Sequence, residues 1–152
     1  MVEEDQYRST YDSVNQRRCI FEKSVLTRRC HCRCSARFYL ADREGIACSA
    51  EPANVRCKQL LLLMRENARF ALKLTGTEDQ LPHAKEIKVQ NGGLLGLQAI
   101  LQPDSPHDTV VDVSALTTQG IEAFGSIQQF PFQEIIKSIT RFEGRRRPRS
   151  KR

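Results

Sequence analysis

Apolar positions are spread unevenly along the chain, and their spacing divides it into elements. Residues 1–15 mix Glu, Asp, Ser, Thr, Asn and Gln with little periodicity, which predicts a mobile lead-in. In 17–26, Ile20, Phe21, Val25 and Leu26 recur at helical spacing and predict a short helix facing inward. Residues 27–35 are basic, cysteine-rich and poor in large apolar groups, as in a loop, and 36–41 suit a strand or a helical turn. The clearest element is a helix over 52–74. Pro52 fits a first-turn position, Gly76 fits a stop, and Val55, Leu60, Leu61, Leu62, Leu63, Met64, Ala68, Ala71 and Leu72 form the apolar arc. Four consecutive leucines make that arc wide, so this should be the central helix. Cys57 lies one turn before Leu60 and Leu61 and can face the same interior.

Over 87–101 two patterns compete. Ile87 and Val89 alternate with Lys88 and Gln90 before Asn91-Gly92, a hairpin signal. Leu94, Leu95, Leu97, Ile100 and Leu101 instead keep helical spacing, with Asn91-Gly92-Gly93 as a break between two helices, and this reading is preferred. The glycines of Gly92-Gly93-Leu94-Leu95-Gly96 match neither a P-loop nor a dinucleotide motif and suggest close packing of two elements. Residues 102–106 read as a loop, 109–113 as extended and the stretch from Ser114 as a helix. A last helix over 131–142 sets Ile135, Ile136, Ile139 and Phe142 on one face. The expected fold class is therefore mostly α: a small single-domain helical fold over 16–143, with an N-terminal cysteine-rich loop region and room for a short β element.

At 152 residues the chain is long enough to fold as one domain without a disulfide framework. The start Met1-Val2-Glu3-Glu4-Asp5-Gln6 is acidic and polar and lacks the features of a secretory signal, and the apolar run 60–64 is too short to span a bilayer. A cytoplasmic location with reduced thiols is expected. The net charge of +6 comes from the end of the chain. Residues 144–152 carry Arg145, Arg146, Arg147, Arg149, Lys151 and Arg152 and no acid, while the remainder is neutral. This tail is expected to be disordered and to bind polyanions, with nucleic acid as a partner through counterion release.

All six cysteines fall between Cys19 and Cys57, three of them in Cys30-His31-Cys32-Arg33-Cys34. Thiols gathered in this way bind a soft metal or an iron–sulfur cluster, or exchange disulfides. Their spacing matches no zinc-ribbon or ferredoxin pattern. In an extended CxCxC segment the three side chains would stand roughly 6.5–7 Å apart in steps of two residues. Four sulfurs at about 2.3 Å around one zinc are closer together, at roughly 3.8 Å, so three loop ligands to a single ion would be strained. The expected ligands are Cys19, Cys30, Cys32, Cys48 and Cys57, with Cys34 and His31 behind them. Arg17, Arg18, Lys23, Arg28, Arg29, Arg33 and Arg37, against the acid Glu22, should favour an anionic centre and lower the thiol pKa values. His83 reads as a surface or capping residue, and nothing points to a hydrolase or a nucleotide-binding enzyme. Three functions follow in order. The first is an iron–sulfur-type protein for electron transfer, redox sensing or cofactor delivery beside a larger protein partner. The second is a zinc-stabilised nucleic-acid-binding module, and the third is a metal-free thiol–disulfide protein. Copper(I) is a further option for the CxC thiols.

Overall fold

The structure, a computed structural model, describes residues 2–73 and 81–143. It is mostly helical, with one two-stranded antiparallel sheet. The elements are α1 (Val2–Val14), α2 (Glu22–Leu26), β1 (Ser35–Leu40), β2 (Arg43–Cys48), α3 (Glu51–Ala68), α4 (His83–Ile87), α5 (Gly93–Leu101), α6 (Val113–Phe124) and α7 (Phe132–Arg141). Among the described residues, no helix is long and apolar enough to cross a membrane. The basic tail 144–152 and the expected stop at Gly76 lie outside the described residues.

The segment read as a lead-in forms α1, whose polar sequence conceals one anchoring face. Tyr11 is buried, stacks near Phe38 with ring centroids 5.8 Å apart, and donates a hydrogen bond to the Glu22 carboxylate. Asn15 reaches the Ile46 carbonyl at 3.0 Å. One anchoring group in thirteen helical residues, Tyr11, with Asn15 just past the helix end, is too little to produce an apolar period.

The hairpin pairs Ser35 with Cys48 through to Leu40 with Arg43. Its turn carries Ala41 at φ 57°, a left-handed position usually taken by Gly or Asn, so the usual turn signal is absent. The chain before α2 runs along this hairpin. Cys19 N–H donates to Ile46 O at 3.0 Å and Cys48 N–H to Arg17 O at 2.8 Å. The helix expected over 17–26 therefore starts only at Glu22, because the backbone groups of Arg17 and Cys19 are already used by β2. Phe21 and Val25 are buried as expected.

α3 begins with Pro52 in its first turn and Glu51 at its positive end. Its apolar arc is narrower than four consecutive leucines suggest. Leu60, Leu61 and Met64 are buried, whereas Leu62 is 48 % exposed and Val55 59 % exposed. The helix ends at Ala68, short of the expected 74, and turns carry the chain to buried Leu72.

The stretch 83–101 is helical, but Asn91-Gly92-Gly93 does not break it. Lys88–Gly92 forms a wide π-helical turn that joins α4 to α5 without interruption. One reason lies in packing. A Cβ on Gly92 would come within 2.8 Å of the Ile139 Cα, and one on Gly96 within 2.6 Å of the Ser138 Cβ. The glycines thus allow α5 to approach α7, and Ser138 Oγ donates to Gly92 O at 2.8 Å. Ile135 and Ile139 are buried on α7, while Ile136 and Phe142 are only partly covered.

The arc on α3 gives a direct test. Leu60→Ala should lower unfolding stability by about 2–5 kcal/mol in urea titration, since it opens a cavity in a closed core. Leu62→Ala should change it by no more than about 0.5 kcal/mol. Equal losses at the two positions would contradict the orientation of this helix.

Candidate functional site

Five of the six cysteines line a single cavity. Cys19 comes from the turn before α2, Cys32 and Cys34 from the loop before β1, Cys48 from the end of β2, and Cys57 from the second turn of α3. Phe21, Val25, Ala53 and Val113 supply apolar wall, and the cavity has ≈ 20 Å³ of room for a water-sized guest. All six cysteines are free thiols. Among the described residues, no three His, Cys, Asp or Glu side chains are yet drawn together tightly enough to hold a metal ion. The sulfurs surround a small space but do not converge on a point.

The loop behaves differently from an ideal extended CxCxC. Cys30 forms a parallel bridge with Val110, is fully buried, and sends its thiol to Asn91 Oδ1 at 3.3 Å, away from the cavity lining. The chain then bends, with Ser35 N–H donating to Cys32 O at 3.1 Å. That bend brings both Cys32 and Cys34 to the cavity. His31 points outward and is exposed. The structure therefore places Cys34 on the cavity and Cys30 away from it, and it leaves His31 outside the group.

Burial decides the protonation of these thiols. Cys19 and Cys57 are pushed up to about 12 by loss of water, and ionising neighbours push further in the same direction. For Cys57 those neighbours are Cys32, Cys19 and Cys48, and for Cys19 they are Cys32 and Cys48. Cys30 is likewise raised to about 12 by burial. Cys32 is also raised by burial, but the backbone N–H groups of Cys34 and Ser114 donate to its sulfur and oppose the shift. Ser114 lies in the first turn of α6, so the Cys32 sulfur rests at the positive end of a helix. Phe21 N–H plays the same part for Cys19. Such donors favour a thiolate wherever a cation can offset the desolvation.

Four of the arginines expected to lower the thiol pKa values are paired with acids, whereas Arg29 does act to lower Cys30. Arg18 pairs with Glu22 at 3.1 Å, Arg28 and Arg37 with Glu44 at 3.0 and 3.4 Å, and Arg33 with Asp112 at 2.6 Å. Glu44 and Asp112 are distant in sequence from the arginines they neutralise, which is why the linear charge count misled. Asp112 also caps α6, accepting from Ser114 N–H at 3.2 Å, and it accepts the Arg33 backbone N–H at 3.2 Å. Burial would raise its pKa, but the Arg33 hydrogen bonds and charge outweigh that and hold it below the ordinary 3.8.

Two outcomes follow. In metal-stripped protein at pH 8, Cys19, Cys30 and Cys57 should react with iodoacetamide far more slowly than in the urea-unfolded chain; equal rates by mass spectrometry would contradict their burial. Because Asp112 has a depressed folded pKa, its contribution to stability is complete above 3.8 and is lost as pH falls through the lower folded value. Thermal unfolding of Asp112→Asn should accordingly show a weaker dependence on acid below pH 4 than the native chain. Compared with family models, curated proteins and solved structures, the chain matches none.

Proposed function

We propose that the protein is a cysteine-ligated metalloprotein in which Cys19, Cys32, Cys48 and Cys57 hold a single soft ion of the zinc type, with Cys34 at the rim. The observation that carries this reading is that five thiols from four chain segments line one cavity. Chemically the donor set suits a thiophilic cation: thiolates are its preferred ligands, and the N–H groups aimed at Cys19 and Cys32 stabilise sulfur in its charged form. Binding would require these buried thiols to release protons and turn inward, so affinity should rise with pH.

An iron–sulfur cluster held by the same thiols is the second reading, and sulfide analysis separates the two. When bound, the ion supplies cross-linking of four chain segments. Cys19 and Cys32 secure the loops flanking α2, Cys48 the hairpin, and Cys57 the central helix. Metal-free thiol–disulfide exchange is the weakest reading, since attack requires a thiolate and burial keeps Cys19 and Cys57 protonated. A metal-stabilised binding module, acting through its surface, is the function most consistent with this arrangement.

Metal analysis after oxygen-free purification tests the proposal. About one equivalent of zinc per chain without sulfide is expected, and Ser in place of Cys19, Cys32, Cys48 or Cys57 should release it. Cys30→Ser and Cys34→Ser should retain it. Iron with sulfide would restore the cluster reading, and folded protein that takes up no metal under any condition would overturn both.

A further inference from the structure

The outer face of α3 carries a pattern of its own, independent of the metal reading. Leu60, Leu61 and Met64 turn into the core, and the opposite side presents Glu51, Val55, Lys58, Leu62 and Glu66 to solvent. Spacings of three and four put these residues on one line along the helix. Phe70 follows just past the helix end. Arg69 keeps helical backbone angles and Leu72 N–H donates to Ala68 O at 2.9 Å, so the chain holds its course there. Phe70 is 94 % exposed, and Leu62 and Val55 are open as well. Lys58 and Glu66 take part in none of the ion pairs among the described residues. Large apolar groups thus alternate with charges along a line that the rest of the described chain leaves open.

The order of that line is complementary to itself. A two-fold axis through Leu62 brings each residue opposite the one equally far along on its other side. Leu62 then meets its own copy, Lys58 faces Glu66, and Val55 comes beside Arg69 and Phe70. Exposed Glu51 faces exposed Lys73. Each acid meets a base, and the apolar groups meet one another. A parallel pairing would instead set Lys58 against Lys58 and Glu66 against Glu66.

We propose that the outer face of α3 binds the same face of a second copy of this chain, antiparallel and about a two-fold axis at Leu62, making the protein a reversible homodimer. A two-fold contact needs a surface that complements itself, and the order of charges around Leu62 supplies it. One helix face buries less than the roughly 1,200 Å² in total that marks the low end of stable interfaces. Association is therefore weak, and the dilute chain of an unfolding titration is monomeric. Cys57 lines the cavity on the other side of α3, so pairing and metal occupancy are separable.

Sedimentation velocity of the full chain over about 1–300 µM, a span that covers weak interfaces, tests the pairing. The native chain should pass from monomer to dimer across this range. Lys58→Glu leaves acids at both positions, and Glu66→Lys leaves bases at both. Because the two-fold axis makes each change act at two contacts, either variant alone should associate at least tenfold more weakly. Mixed in equal amounts, the two variants should pair with each other, since each supplies the sign that the other lacks. A native chain that stays monomeric throughout overturns the proposal, and so does a dimer that either variant leaves unchanged. Failure of the mixture to associate overturns it too. If a variant does not fold by circular dichroism, carbodiimide cross-linking of the native chain decides. A Lys58–Glu66 link that joins a nitrogen-15-labelled copy to an unlabelled one supports the pairing, and its absence rejects it.

Discussion

The short backbone pairing of residues 29–31 with Val110 and Val113 joins the two halves of this molecule. Val110 N–H donates to Arg29 O at 2.7 Å, His31 N–H to Val110 O at 3.0 Å, and Val113 N–H to His31 O at 2.8 Å. These three bonds dock the cysteine loop onto the start of α6. They also fix which thiol faces which way. Cys30 is driven into the core toward Asn91, and the bend that follows brings the Cys32 sulfur beside the backbone of Cys34 and Ser114. The Arg33–Asp112 pair secures the same junction from the solvent side. Without this docking, nothing in the hairpin itself would hold the loop sulfurs opposite Cys57.

A second constraint lies deeper, where polar groups are buried in a connected set. Arg65 on α3 makes two bonds to Glu86, at 3.2 and 2.7 Å, and Gln90 donates to the same carboxylate at 2.6 Å. Gln90 Oε1 in turn accepts from the backbone N–H and hydroxyl of Ser24 at 3.2 Å each. The chain of contacts links α3, the π turn and α2. A buried ion pair contributes little net stability after desolvation, but breaking one leaves a costly unpaired charge. Its effect here is positional: α2, and with it the turn carrying Cys19, is held against the helical body. The π turn belongs to the same device, since Gln90 and Asn91 both face inward from one wide helical turn and both reach residues of the cysteine region.

Electrostatics on the surface and in the cavity are separated. Arg18, Arg28, Arg33 and Arg37 are paired with Glu22, Glu44 and Asp112, and lost hydration is the largest influence on the buried thiols, with Arg29 opposing it at Cys30 and Arg56 at Cys57. A cavity with that character is poised for a cation that can replace several protons at once, which couples occupancy to folding.

Much of the helical body was legible in the sequence. The arcs of α3, α5 and α7 follow from apolar spacing, because burial of one face is what makes those helices stable, and Pro52 marks an initiation that needs no partner. The regional clustering of thiols was equally plain. Other features were hidden because their causes lie far away in the chain. α1 is anchored through Tyr11 and Asn15, β2 follows a turn with Ala41 at positive φ, and Gly92 permits a close approach to α7 that has no local signature. The ligand set shows the division most clearly. Sequence alone places Cys30 ahead of Cys34, because Cys34 leads directly into the apolar stretch 36–40 and can pack there. Pairing with Val110, seventy-nine positions beyond His31, reverses that order, since backbone hydrogen bonds to a distant segment decide the direction in which each thiol points. The sequence by itself therefore determined that the cysteines are gathered in one region and which helices form the body, both being properties of local composition and period. Only the tertiary structure decided which thiols share a cavity and which arginines are neutralised, because those depend on contacts between segments that no local pattern records.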